Sequence, residues 1–220
     1  PLLAFPRNRR GKIKCLTTLH DLIPLVFPEY VPRSRKKQFF PLYRMLMLEV
    51  ARRSDVILTV SRNSRDDILK HLHIPESRAA DVVVIPEGVS PRFKPLSRTD
   101  RMPGHKAILW VGRADPYKNV EILIQAFARL REQYRGELEL KLVGPKDARY
   151  PEASRLATEL GIAKEVVWAG YLDDEALVKA YQNADLFVLP SLYEGFGLPV
   201  LEAMACGTPV ICSTKGSLSE

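Results

Sequence analysis

Short apolar runs alternate along this chain with stretches in which apolar residues return every three or four positions. The alternation is most regular in the second half. Residues 107–111 form a continuous apolar run closed by Gly112, the pattern of a strand buried on both faces. Val120, Leu123, Ile124, Phe127 and Leu130 then recur at helical spacing, with Asn119 placed to cap that helix and Gly136 just past its end. A strand is expected over 138–143, closed by Gly144 and Pro145, then a helix over 152–160 stopped by Gly161. A strand over 165–170, a short helix over 174–181 and a strand over 185–189 follow. Pro199 suits the first turn of a further helix, Gly207 ends it, and a last, buried strand starts at Val210.

Nearly continuous apolar strands separated by helices predict a parallel sheet covered on both faces, a doubly wound Rossmann-like domain. In such sheets ligands bind beyond the carboxyl ends of the strands. The first half shows the same alternation less completely. It has strands over 13–18, 56–60 and 82–85, a long helical stretch over 35–53 and a helix over 63–72. Residues 86–104 are rich in proline and glycine and read as a linker. The expected division is therefore 1–96, the later half of one Rossmann-like domain, and 97–220, a second such domain. The chain opens at Pro1 and stops at Glu220. It is expected to be a fragment lacking the opening strands and Gly-rich turn of the first domain and the elements that follow the second.

Composition narrows the class. Apolar residues make up 46% and charged residues 27%, enough apolar surface to offset chain entropy, which excludes intrinsic disorder. No stretch of about 18 residues is free of polar and charged side chains, so no spanning helix is expected within the sequence. The three cysteines, Cys15, Cys206 and Cys212, lack disulfide-scaffold or metal-knuckle spacing, and a reducing compartment is the default. Residues 1–104 carry 20 Lys+Arg against 10 Asp+Glu, and residues 105–220 carry 13 against 16, so the chain's +7 divides into +10 and −3. A basic half is suited to nucleic acid, an anionic membrane or an acidic substrate. No helix-turn-helix, RNP or zinc signature supports the nucleic-acid option, and no nucleic-acid partner is expected.

Two loops hold candidate chemistry. Gly112-Arg113-Ala-Asp-Pro-Tyr-Lys118 places two cations at a strand's carboxyl end. They could neutralise a diphosphate, Arg113 through forked donors and Lys118 as a point charge, or be ordinary solvated loop charges. Residues 190–202 place Glu194 and Glu202 on either side of Gly195, Phe196, Gly197 and Leu198, before and inside a helix whose start offers free N–H groups to an anion. Two such carboxylates would repel phosphate but accept hydrogen bonds from vicinal hydroxyls. The alternative is a first-turn Glu202 complementing the helix dipole and a surface Glu194. His20, at a strand end before Asp21, is either a hydrogen-bonded structural residue or a functional one oriented by Asp21. Residues 33–50 run from basic to apolar-aromatic. They read either as a helix packed on the sheet, burying Leu42, Met45, Leu46 and Val50, or as a lip approaching an anionic membrane. Cys206 and Cys212 read as small core residues.

The Glu194-x7-Glu202 block resembles the signature of the group 1 (family 4) retaining glycosyltransferases. Val-Gly-Arg113 with Lys118-Asn119 resembles their donor-phosphate loop, and the strand ending at Gly170, Tyr171 and Leu172 resembles the one beside their nucleotide base. Thr18-Leu-His20-Asp21 and the run 60–64 resemble motifs of their acceptor-side domain.

The resemblance implies a GT-B type α/β fold, two Rossmann-like doubly wound parallel-sheet domains facing a cleft, the first incomplete here. It implies transfer of a hexose, with mannose and glucose as candidates, from a nucleotide-diphosphate sugar to a glycan or lipid-linked acceptor, with retention and without a metal or other cofactor. It places His20 and Glu194 at the reacting sugar. Arg113, Lys118, Glu194, Gly195, Phe196, Gly197, Leu198 and Glu202 fall on the donor, and Val143, Gly144, Gly170, Tyr171 and Leu172 near the base. A cytoplasmic protein, peripheral on the inner membrane face, is expected. A sugar-nucleotide epimerase or phosphorylase of the same fold, or an inactive nucleotide-sugar-binding fragment, remains the alternative.

Overall fold

The computed structural model describes residues 14–30, 39–96 and 106–220. The chain forms two compact units. The first takes Pro1–Glu87 with Glu194–Phe196 and Glu220, and the second takes Gly88–Tyr193 with Gly197–Ser219. The contacts thus divide the chain after Glu87, earlier than the boundary at 96 read from composition. Residues 88–96 go with the second unit because they are packed there. Phe93 meets the Tyr181 ring edge-on at 5.8 Å, and Gln182 Nε2 donates to the Lys94 carbonyl at 2.8 Å. The rest of the proline-rich stretch, 97–104, lies outside the described residues.

In the first unit β1 (Leu16–Thr18), β2 (Val56–Thr59) and β3 (Val82–Val84) form a parallel sheet in the order β1-β2-β3. Helices α1 (Ile23–Val26), α2 (Phe40–Arg53) and α3 (Arg62–His71) connect or flank them. The Ser61 side chain caps α3 by accepting from Ser64 N at 3.0 Å. Leu22, Met47, Val50, Ala51, Ile57 and Ile68 lie in the core. The face of α2 that packs inward matches the expected one only in part, with Val50 buried and Leu46 packed against the core as expected. It buries Met47, Val50 and Ala51, while Leu42 and Met45 are 45% and 58% exposed. Met47, Val50, Ala51 and the C-cap Ser54 recur at three- and four-residue intervals, and Leu42 and Met45 fall outside that stripe. The start of the expected helix, 35–38, lies outside the described residues, as does Ile13 of the first strand.

The second unit follows the predicted alternation closely: β4 (Lys106–Val111), α4 (Val120–Gln133), β5 (Leu138–Val143), α5 (Glu152–Glu159), β6 (Val166–Gly170), α6 (Asp174–Asn183), β7 (Leu186–Leu189), α7 (Leu198–Ala205) and β8 (Val210–Cys212). All pairings of these strands are parallel, in the order β6-β5-β4-β7-β8. Val120, Leu123, Ile124 and Phe127 bury the inner stripe of α4, each contributing roughly 1.5–3 kcal/mol of transfer free energy. Cys206 is fully buried in this core and Cys212 packs against it. The last strand is less buried than its sequence implied. Among the described residues β8 stands at one end of the sheet order, and its middle residue Ile211 is exposed.

The chain goes outward from β4 through β5 to β6, then returns to the other side of β4 for β7 and β8. The carboxyl ends of β4 and β7 therefore flank a crevice where the connections diverge, the usual place for a ligand in an open α/β sheet. Beside it the backbones of β4 and β5 approach closely. Gly112 N donates to Val143 O at 2.9 Å, and a Cβ on Gly144 would lie 1.7 Å from the Gly112 carbonyl oxygen. Gly144 sits at φ 142, a conformation glycine alone adopts readily.

Gly144→Ala should therefore cost about 2–4 kcal/mol in urea denaturation. Gly161→Ala, at a positive φ with open space around its Cβ, should cost about 1 kcal/mol. Equal losses at the two positions would show that the close approach of β4 and β5 is not what demands glycine.

Candidate functional site

The loop leaving β4 turns through a short 3-10 helix, Pro116–Lys118, and a left-handed Asn119 at φ 55 before α4 begins. Asn119 does not cap α4 through its side chain as expected. In the left-handed conformation its Nδ2 instead donates to Pro190 O at 3.3 Å, and Leu192 N donates to Tyr117 O at 2.7 Å. These two bonds tie the loop after β4 to the loop after β7, so the topological crevice is closed by specific contacts and not only by proximity.

Arg113 is held in place by a residue that the sequence reading passed over. Asp115 is buried, and its Oδ2 accepts from Arg113 Nε at 2.6 Å. The hydrogen bond to Asp115 raises the Arg113 pKa, so the guanidinium is cationic at any working pH. Because the bond uses Nε, the outer edge of the guanidinium keeps its paired N–H donors for an anion. The available signal was an acid two residues after an arginine in a strand-end loop. The Lys118 ammonium stands 5.3 Å from the centre of the Tyr117 ring. The loop after β5 brings another ion pair, Asp147 with Arg149. Hydrogen bonds from Arg149 hold the Asp147 carboxyl down at about 2, and Arg149 is near enough to oppose the charge on Arg113.

Gly197, at φ 96, precedes α7, so the helix opens at Leu198 with Pro199 in its first turn. Glu202, half-buried in α7, accepts a 2.7 Å hydrogen bond at Oε2 from the hydroxyl of Tyr181, a fully buried residue of α6. Burial pushes the Glu202 pKa up, and the Tyr181 bond pulls it part of the way back. Tyr181 is raised as well, first by burial and then by the Glu202 charge. Tyr181 carried no sequence signal beyond its place in a predicted helix. At the carboxyl ends of β5 and β6, Gly144 N donates to Gly170 O at 2.8 Å, joining Val143-Gly144 to Gly170, Tyr171 and Leu172. Leu172 packs on the core while Tyr171 is almost fully exposed.

Glu194, Gly195 and Phe196 group with the first unit. Glu194 is 6% exposed and so is not a surface residue. The Gly195 carbonyl accepts from Ser61 Oγ at 2.7 Å and Ser64 Oγ at 3.1 Å. His20 lies just beyond β1. Asp21, its neighbour in sequence, accepts at Oδ1 from Ile23 N at the start of α1. His20 Nδ1 instead pairs with Glu87 at 2.8 Å. Among the described residues there is no group of three or more His, Cys, Asp or Glu side chains placed to hold a metal ion, and no helix long and apolar enough to cross a membrane.

Comparison with known proteins agrees with this architecture. Residues 97–220 match the family model for glycosyl transferases group 1, and residues 1–93 match that of Glycosyltransferase Family 4. The chain belongs to the group 1 glycosyl transferases. It is 33% identical over 215 residues to O-antigen chain mannosyltransferase B of Escherichia coli, covering 94% of this chain and 55% of the relative. It is 39% identical over 173 residues to the MMP alpha-(1->4)-mannosyltransferase of Mycolicibacterium hassiacum, covering 78% and 40%. Among solved structures, the sucrose-phosphate synthase of Thermosynechococcus elongatus superposes with a TM-score of 0.74 at 28% identity, covering 95% of this chain and 53% of the other. The HepE protein of Anabaena, solved with UDP and glucose, shares the fold with a TM-score of 0.73 at 22% identity, covering 94% and 54%. The fold is thus the GT-B type, and the chain spans between about a quarter and about half of the length of the curated relatives it matches.

Two outcomes follow from the site. Tyr181→Phe removes the bond that stabilises charged Glu202, so it should cost roughly 1–2 kcal/mol at neutral pH. Burial raises the Glu202 pKa in the folded state, so the carboxylate is neutralised at a higher pH than an ordinary one as the solution is acidified. The gap between Tyr181→Phe and wild type, read by denaturant melts, should therefore narrow as pH falls through that raised value. A gap constant with pH would show that the bond does not discriminate the charged form. Separately, Arg113→Ala or Lys118→Ala should weaken nucleoside diphosphate binding by roughly 1.5–3 kcal/mol in calorimetry. Unchanged affinity in both variants would remove the loop after β4 from the site.

Proposed function

We propose that the protein transfers a hexose from a nucleoside diphosphate sugar to a glycan or lipid-linked acceptor with retention of anomeric configuration. The observation that carries this reading is the pair of cations, Arg113 and Lys118, on a loop bonded to the Pro190–Leu192 backbone at the switch point of a parallel sheet. As the glycosidic bond to the diphosphate breaks, negative charge grows on the leaving phosphate. Arg113 fixed by Asp115, the Lys118 ammonium and the positive dipole end of α7 already stand ready for that charge, so little reorganisation is needed in the transition state.

The carboxylates take the hydroxyl side. Glu202 accepts from the ribose and Glu194 from the transferred sugar, with backbone N–H groups of Gly195, Phe196, Gly197 and Leu198 around them. The exposed ends of β5 and β6, at Gly144 and at Gly170 to Leu172, receive the base. His20 addresses the sugar. Positive charge from side chains fills the role a divalent ion would otherwise serve, so no metal is required. Mannosyltransferase names among the relatives make mannose the first sugar to test. The exposed Phe39, just before α2, and Leu42 and Met45 within it adjoin the basic run Arg33, Arg35, Lys36 and Lys37 in sequence, a composition suited to an anionic membrane on the cytoplasmic face, where a lipid-linked acceptor would lie.

The test is a nucleotide-sugar panel by thermal shift, followed by transfer assays in EDTA. One nucleotide sugar should raise the melting temperature and support turnover that persists under chelation. Complete, reversible loss in EDTA would overturn the metal-free reading. Glu202→Gln should weaken ribonucleotides more than their 2′-deoxy analogues, and equal losses would count against a ribose contact.

A further inference from the structure

His20 and Glu87 come from opposite edges of the three-stranded sheet. His20 lies two residues beyond β1, whose course continues in the bond from Leu19 N to Leu58 O at 2.8 Å. Glu87 lies three residues beyond β3, after Ile85 N donates to Thr59 O at 2.7 Å. β2 runs between them, so both side chains emerge past the carboxyl end of the same sheet. There His20 Nδ1 and Glu87 Oε1 stand 2.8 Å apart, with the imidazole 64% exposed and the carboxylate 26% exposed. A carboxylate has no proton to give, so the ring nitrogen must be the donor. In a neutral imidazole whose Nδ1 carries the proton, Nε2 is left with its lone pair facing outward.

We infer that Glu87 is the positioning residue for His20. It fixes the Nδ1–H tautomer and the ring orientation, so that His20 offers Nε2 as a hydrogen-bond acceptor to a hydroxyl of the substrate. This rests on the reading of His20 as a residue that addresses the sugar. It assigns the orienting role to a residue 67 positions away in sequence, where proximity along the chain favoured Asp21. Asp21 Oδ1 accepts from the first turn of α1, and the His20 Nδ1 contact is made to Glu87. The interaction involves no covalent step. Glu87 sets which nitrogen is protonated, and no net proton transfer is needed for His20 to accept a hydroxyl hydrogen bond.

The experiment combines a tautomer readout with kinetics in the full chain. Nitrogen-15 NMR of labelled histidine, assigned by His20→Ala, reports which ring nitrogen of the neutral side chain is protonated. In wild type, Nδ1–H should dominate. In Glu87→Ala the population should move toward Nε2–H, and kcat should fall by about tenfold to a hundredfold with the donor KM changed less than twofold. Glu87→Gln keeps an acceptor oxygen and should restore both the tautomer and most of the rate. An unchanged tautomer in Glu87→Ala overturns the pairing whatever happens to transfer, and the NMR needs no donor or acceptor. A tautomer that moves while kcat stays within twofold overturns the positioning role. Normal transfer by His20→Ala would instead sink the reading of His20 as a sugar-facing residue, and with it any role for Glu87 in transfer. Glu87 lies outside the strand and is partly exposed, and melting curves of both Glu87 variants verify that the fold is kept.

Discussion

β4 takes β5 on one side and β7 on the other, and the reversal between them is the constraint on which the second unit depends. Because the connections leave β4 and β7 in opposite directions, their carboxyl ends cannot be covered by the same helix, and a crevice remains. The chain then builds the crevice with backbone bonds. Tyr117 and Pro190 carbonyls accept from the facing loop, and Gly144 lets β4 and β5 close to a distance no side chain would permit. Charge is placed on this frame afterwards, at positions that the strand ends already define.

The charges placed there are not free to adapt. Two of them are matched to a buried partner: Arg113 to Asp115 and Glu202 to Tyr181. A buried carboxylate without a donor is costly, so these partners stabilise the fold while they fix orientation. A guanidinium bound through Nε still offers its outer donors, and an imidazole bound through Nδ1 still offers its outer lone pair. Structural satisfaction on the inner edge and availability on the outer edge are two sides of one arrangement.

Much of this could be read along the chain. The strand–helix alternation from 107 to 212 is carried by periodicity, which is a local property, and each expected element there is present to within two residues at either end. The two loops that matter were also visible, because cations at a strand end and a Glu pair around Gly-x-Gly are contiguous in sequence. The α2 face was misread at Leu42 and Met45, since periodicity gives a stripe but not which neighbour it meets. Met47, Val50 and Ala51 face inward because the three-stranded sheet lies on their side.

Partnership was the part that only the tertiary structure decided. Asn119 bonds Pro190 rather than capping its own helix, Glu202 receives its proton donor from α6, and His20 pairs with Glu87 rather than with adjacent Asp21. The division of the chain at Glu87, ahead of the proline-rich stretch, is of the same kind, because Phe93 and Lys94 find their contacts in a core formed far along the sequence. Local sequence sets where a strand ends and which side chains stand there. It does not set which of several nearby donors and acceptors will meet, because hydrogen bonds are short and directional, and their geometry is fixed only when separate strands have been brought into register.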